Sequence, residues 1–184
     1  MDKLVPDEVV LGLLKAQPAH GYELLEIFRS RSQLGRIWTM STSQLYAVLK
    51  RLEREGLILG QEIAAVNAPP RIVYEVTSLG EKRLNAWLFD CSPSPSIHRI
   101  RVLFLSRIYI ANLLGILFGE IIKAQIVSCI DQRDHFIGRI TKNGSQVEKL
   151  TINFVVGQLD AAIQWLQESD FQLNLHDEMN IRKE

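Results

Sequence analysis

All six prolines of this 184-residue chain stand before Ile97. The last two fall within Asp90-Cys-Ser-Pro-Ser-Pro-Ser96. Proline lacks the backbone donor a helix needs and clashes with the preceding turn, so a run with two prolines and three serines in seven residues is a linker. The chain therefore reads as two parts, residues 1–89 and 97–184, joined by residues 90–96. Its length admits one large domain or two small ones. A composition that is 47% hydrophobic and 23% charged supports packed cores and argues against a disordered chain.

Before the linker, short helical patterns surround one strand-like stretch. Val9, Val10, Leu13 and Leu14 share a helical face that Gln17-Pro18 stops. Leu24, Leu25, Ile27 and Phe28 repeat the pattern over Tyr22 to Ser30. A third helix, about 41–55, opens on Ser41 with Gln44 three residues on, a capping box that satisfies orphaned backbone donors. Gly56 supplies its left-handed stop. Leu57–Leu59 and Arg71–Val76 favour strands, and Asn67-Ala-Pro-Pro70 favours a turn, which predicts a hairpin over about 57–76. Ser78 and Glu81 form a second capping-box pattern for a helix through Leu88. Helix, helix, helix, hairpin, helix is the order of a winged helix-turn-helix.

After the linker, apolar residues recur at helical spacing. Helices are expected over about 97–118, 119–140 and 145–169, with a polar, frayed end after Asp170. Val102 to Ile122 approaches bilayer-spanning length, but it carries Arg107 and Asn112 inside and Glu120 near its end. A central arginine costs about 2.5–3.5 kcal/mol on insertion scales, so a buried or partner-facing helix is the expectation. The predicted fold class is mainly α with a small β-hairpin wing.

Charge is balanced overall, with 21 basic and 21 acidic residues. Between Arg29 and Arg54, however, Arg29, Arg31, Arg36, Lys50, Arg51 and Arg54 face the single acid Glu53. Such a patch suits a polyanion, although a solvated face has the same signature. On a helical wheel, Leu45, Val48, Leu49 and Leu52 fall within an arc of about 100°. Ser43, Tyr46, Ala47, Lys50 and Arg54 centre on the opposite side, with Gln44 and Arg51 flanking. Cations and hydroxyls take phosphates and base edges, and a small residue permits close approach to a major groove. Arg71, beside the hairpin turn, is placed to reach a phosphate or the minor groove.

Three motifs carry a resemblance. They are His20-Gly21-Tyr22, then Ser43-Gln-Leu-Tyr-Ala-Val-Leu-Lys-Arg-Leu-Glu-Arg-Glu-Gly-Leu-Ile58, then Val73-Tyr74-Glu-Val-Thr77-Ser-Leu-Gly80. Together they resemble the PadR family of bacterial transcriptional regulators, over about half the chain. The second half resembles the helical dimerisation domain that follows such winged helices, including the AphA-like branch. The resemblance implies a dimeric regulator, a repressor in the first instance and an activator as the alternative, on a pseudo-palindromic operator in double-stranded DNA. Its DNA-contacting positions carry over to Ser41, Thr42, Ser43, Tyr46 and Lys50. Tyr22 is expected either to touch phosphate or to pack on the third helix. Ala47 departs from the family, which usually has proline there.

The resemblance also admits a small-molecule effector, as some members bind phenolic or multidrug ligands. Trp38, Trp87 and Trp165 are candidates for that role or for core packing, the commoner use of tryptophan. A homodimer through the C-terminal helices is expected from their apolar character. The alternative reading of the basic face is a winged helix that binds an acidic protein.

Other classes find little support. No His or Cys pair has metal-ligand spacing, and no glycine-rich nucleotide loop is present. Asp131, Asp134 and His135 share a helical turn without a nucleophile, which a solvated face explains. No enzyme and no cofactor are expected. Two isolated cysteines and an acidic N-terminus point to a cytoplasmic protein without a membrane segment.

Overall fold

The computed structural model describes residues 4–65, 68–139 and 145–181. In chain order it has α1 (Asp7–Ala16), β1 (Ala19–His20), α2 (Gly21–Arg29), a short 3-10 turn (Leu34–Arg36), α3 (Thr42–Arg54), β2 (Ile58–Ala65), β3 (Ala68–Val76) and α4 (Ser78–Leu88). There follow α5 (Ile97–Arg99), a π-helical segment (Ile100–Phe104), α6 (Leu105–Leu113), α7 (Gly119–Gly138) and α8 (Gln146–Ile181). The fold is mainly helical with one small antiparallel sheet, in the order β1-β3-β2. Among the described residues, no helix is long and apolar enough to cross a membrane.

The first compact unit comprises residues 1–89 together with Leu105–Ile116. Its core is continuous. Val9, Val10, Leu13 and Leu14 of α1 meet Leu24, Leu25 and Phe28 of α2, and Leu45, Val48, Leu49 and Leu52 of α3. Ile110 of α6 belongs to the same core, because Gly12 leaves room for it: a Cβ there would lie 2.4 Å from the Ile110 side chain. A division of the chain at the linker must therefore be corrected for 105–116, which packs with the winged helix. Trp38 donates its indole N–H to Ser106 at 2.8 Å, and the buried Arg107 lies 5.5 Å over the Trp87 ring.

The local signals fall where the residues put them. Ser41 caps α3 reciprocally with Gln44: Gln44 N–H donates to Ser41 Oγ, and Ser41 N–H donates to Gln44 Oε1. Gly56, at φ +70°, ends the helix, with Leu57 N–H reaching Leu52 O. α3 runs through Ala47 without a break.

Several expectations need correction. The hairpin strands are longer than predicted, and Ala68–Pro70 begin β3 rather than forming a turn. The prolines are accommodated because the ladder is irregular between Ile63 and Ala65 and β1 covers only Val73 and Tyr74 on the other edge. Asn67 lies outside the described residues. Thr77, not Ser78, caps α4: its hydroxyl donates to Gly56 O and accepts from Gly80 N–H, while Glu81 pairs with Lys15 at 2.6 Å.

The second unit comprises residues 90–104 and 117–184. The helix expected to run to Phe118 stops earlier, because Gly115 takes φ +67° and closes a left-handed cap with Ile116 N–H on Ala111 O. α7 and α8 pack side by side. Ile152, Leu159, Ile163 and Leu166 form the buried stripe of α8, and Trp165 meets Phe104 edge-on at 5.9 Å. Helix α8 continues past Ser169 to Ile181, so the polar character after Asp170 does not end it.

Candidate nucleic-acid interface

Helix α3 has an apolar face that fixes it to the core and an opposite face with no such duty. Ser43, Tyr46, Ala47, Lys50 and Arg54 are all exposed. Among the described residues, Lys50 and Arg54 make no hydrogen bond or ion pair. The helix start is more occupied. Ser41 and Gln44 hold the cap, Ser43 Oγ lies 3.1 Å from Ser41 Oγ, and Thr42 Oγ1 accepts from Arg29 at 3.3 Å. These groups remain exposed, with acceptor or donor capacity left over.

Arg51 is placed elsewhere. Its guanidinium grips both oxygens of Asp7, with Nε to Oδ2 at 3.0 Å. Asp7 is 2% exposed. Arg83 of α4 also reaches Asp7, at 3.5 Å, and binds Glu8 at 2.9 Å and Glu55 at 3.0 Å. The hydrogen bond to Asp7, against a smaller burial penalty, raises the Arg51 pKa above its ordinary value. Arg51 thus joins α3 to the start of α1 and leaves the exposed face to Lys50 and Arg54. The wheel could not show this, since Asp7 is 44 residues away. The one available signal was the pair of acids, Asp7 and Glu8, in the first turn of a largely apolar helix.

Beside the start of α3, a cleft of about 430 Å³ is lined by His20, Tyr22, Tyr46, Arg71, Ile72 and Tyr74. Gly21 explains how the elements come so close: a Cβ there would lie 3.0 Å from the Tyr46 ring. Tyr46 therefore rests its ring on α2 while remaining 47% exposed. Tyr22 is 64% exposed, so it packs little on α3 and offers its hydroxyl to solvent. Burial pushes the Tyr74 phenol up, helped by the nearby charge of Glu53 and by Tyr46.

His20 ties this corner to the wing. Its Nδ1 lies 3.1 Å from Ile72 O, and since a carbonyl only accepts, Nδ1 carries the proton. Its backbone N–H donates to Glu23 at 2.7 Å. Arg71, paired with Ile63 across the hairpin, is exposed and without a partner among the described residues. The wing thus presents Arg71 beside three tyrosine rings, and α3 presents Lys50 and Arg54 on its exposed face. Asp7 is a positioning residue that the sequence did not single out, and His20, which opens the first motif, gains its positioning role from the Ile72 carbonyl.

Elsewhere the alternatives recede. Trp38 and Trp87 pack against the core of the first unit. Asp131, Asp134 and His135 lie on an exposed face of α7, with Asp134 held by Arg133 at 2.8 Å. Among the described residues no cluster of His, Cys, Asp and Glu is arranged to hold a metal.

Three helices, a hairpin that carries Arg71 on β3, and a closing helix define a winged helix-turn-helix domain. Residues 10–86 match the model of the Transcriptional regulator PadR-like family. The negative transcriptional regulator PadR of Bacillus subtilis (strain 168) is 31% identical over 86 residues, which is 47% of this chain and 46% of that protein. The chain thus spans about half the length of the curated relative it matches. Among solved structures, Bacillus subtilis PadR in complex with operator DNA is 19% identical, with a TM-score of 0.46 over 91% of this chain and 98% of that one. The same protein in complex with p-coumaric acid gives 19% and 0.42 over 93% and 99%.

Proposed function

We propose that the chain is a sequence-specific, DNA-binding transcriptional regulator that acts as a repressor in the bacterial cytoplasm. The observation that carries this reading is the exposed face of α3, where Lys50 and Arg54 stand unpaired beside Ser43, Tyr46 and Ala47 on a winged-helix scaffold of the PadR-like family. In this reading α3 enters the major groove, where Ser43 and Tyr46 meet base edges or sugar-phosphate and Lys50 and Arg54 meet phosphates. Ser41, Thr42 and Gln44 lie at the helix start, where backbone N–H groups also favour phosphate. Arg71 and Tyr22 flank the groove from the wing and from α2. Repression follows the described role of the Bacillus subtilis relative. An acidic protein partner for the same face gains no support from a family described by transcriptional regulation.

Specific binding to a pseudo-palindromic operator requires two copies. We place the dimer interface on the second unit. On α8, Val147, Leu150, Phe154, Ala161 and Trp165 are exposed and fall within about 60° of arc. The buried stripe lies roughly 160° away. A helix apolar on both sides is half of an interface. Two recognition helices about 34 Å apart then read successive turns of the groove. A small-molecule effector, an enzyme-free function and the absence of a cofactor belong to the same reading.

The test is a mobility-shift titration with DNA from the region upstream of the gene that encodes the chain. Saturable binding that survives excess unrelated DNA and weakens steeply with salt is expected. Equal binding to unrelated DNA, or none at all, would refute sequence-specific regulation.

A further inference from the structure

Helix α3 is held on both flanks of its exposed face. Residues two apart stand about 160° apart on a helix, so Arg51 and Glu53 lie on opposite sides. Arg51 ties one flank to Asp7 of α1. Glu53 ties the other to the wing, where its Oε1 accepts the backbone N–H of Gly60 on β2 at 3.2 Å. β2 is an edge strand, so an N–H that turns away from β3 has no further strand to pair with. Gly60 lets the carboxylate in: a Cβ there would lie 2.7 Å from Glu53 Oε1, 2.9 Å from Ile72 and 3.1 Å from the Tyr74 ring. Burial and then the charge of Glu53 push the Tyr74 phenol up, in keeping with a carboxylate held beside that ring.

Electrostatics alone give Glu53 an adverse role. It is the only acid between Arg29 and Arg54, and a negative charge beside DNA-facing cations repels a polyanion. The bond to Gly60 adds a second role of opposite sign. β2 and β3 pair from Ile58 with Val76 to Ile63 with Arg71. A strand fixed to α3 at Gly60 therefore fixes Arg71 three residues along the same ladder. The other tie, from the His20 ring to Ile72 O, holds β3 from the side of α2.

We infer that Glu53 is a positioning residue for the wing: its carboxylate fastens β2 to the last turn of α3 and so sets where Arg71 meets the DNA backbone. The fastening stands on the Glu53–Gly60 bond. Its consequence for DNA rests on the proposed DNA-binding reading.

Two variants of the full chain separate fastening from charge. Glu53→Gln keeps an oxygen that accepts from Gly60 and removes the charge, whereas Glu53→Ala removes both. Amide exchange at Gly60, followed by NMR, should keep its wild-type rate in Glu53→Gln and rise about fivefold in Glu53→Ala, the size of one ordinary hydrogen bond. An unchanged rate in Glu53→Ala overturns the fastening. Operator binding by Glu53→Ala should be about eightfold weaker at about 0.1 M salt, with a log–log salt slope lower by about 0.9, the share of one phosphate contact. Glu53→Gln should bind at least as tightly as the wild type. Arg71→Ala should match Glu53→Ala, and the double variant should be no weaker than either. Gly60→Ala, whose methyl displaces the carboxylate, should reproduce the loss with Glu53 still in place. Glu53→Ala that binds as tightly as Glu53→Gln marks an acid that only repels DNA, and overturns the placement of Arg71. Additive losses from Glu53→Ala and Arg71→Ala overturn it as well. A wild-type chain that binds no operator overturns that placement together with the DNA-binding reading, while exchange at Gly60 still decides the fastening.

Discussion

Helices α3 and α8 bury apolar stripes of similar make-up and differ on the other side. Opposite Leu45, Val48, Leu49 and Leu52, α3 shows hydroxyls and cations. Opposite Ile152, Leu159, Ile163 and Leu166, α8 shows Val147, Leu150, Phe154 and Trp165. The first helix has finished folding when its core is made, and its free face is chemistry for a polyanion. The second has not satisfied its apolar surface, and what remains suits another copy of the same protein. Stability of the first unit should therefore depend on its own core, whereas the second should respond to concentration.

The largest effect should come from the core under α3. Leu49 is fully buried, and Leu49→Ala should cost about 3 kcal/mol, read as a shift in the urea midpoint without loss of the dimer. Asp7→Asn comes next, at about 2–3 kcal/mol. It leaves Arg51 and Arg83 without their shared buried anion, and the cost stays below that of a fully enclosed pair because both arginines are about a third exposed. A change under about 0.5 kcal/mol would mean that the network is only surface decoration. Phe154→Ser should leave the urea midpoint of the first unit in place while raising the dimer dissociation constant about 30-fold, the size of an aromatic hot spot. Sedimentation that shows an unchanged dimer would remove α8 from the interface.

The smallest effect should be a pH dependence. Tyr74 is held above its ordinary pKa by burial. Unfolded tyrosine ionises near 10, so above about pH 10 the unfolded chain binds fewer protons than the folded one. Stability from this group is complete below that pH and is lost as pH rises through the folded value. The urea midpoint should fall between about pH 9 and about pH 11, on either side of that ionisation, and Tyr74→Phe should lessen the fall.

Local signals carried most of the first unit. Ser41 with Gln44, Gly56, and the four buried positions of α3 depend on neighbours within a few residues, and such signals survive folding. What escaped detection acts over distance. Arg51 looked like its neighbours Lys50 and Arg54 until Asp7 came beside it. Strand β1 is two residues long and exists through its pairing with Val73 and Tyr74. Thr77 displaced Ser78 as cap because its hydroxyl also serves Gly56 O across the hairpin. The 105–116 stretch resembles its helical surroundings in composition, and only the space left by Gly12 marks where Ile110 goes. At the candidate interface, the exposed side chains were readable and the residues that hold them were not.

The claim that the free face of α3 meets DNA is tested most directly by comparing three nearby cations. Operator affinity would be measured from low to moderate salt for Lys50→Ala, Arg54→Ala and Arg51→Ala. Every phosphate that is no longer neutralised lowers the log–log salt slope by about 0.9. Lys50→Ala and Arg54→Ala should each flatten the slope by that amount with stability unchanged. Arg51→Ala should lower stability and leave the slope as it was, because its charge is held by Asp7. A flattened slope for Arg51→Ala, with Lys50→Ala and Arg54→Ala indistinguishable from wild type, would contradict the placement of DNA on this face.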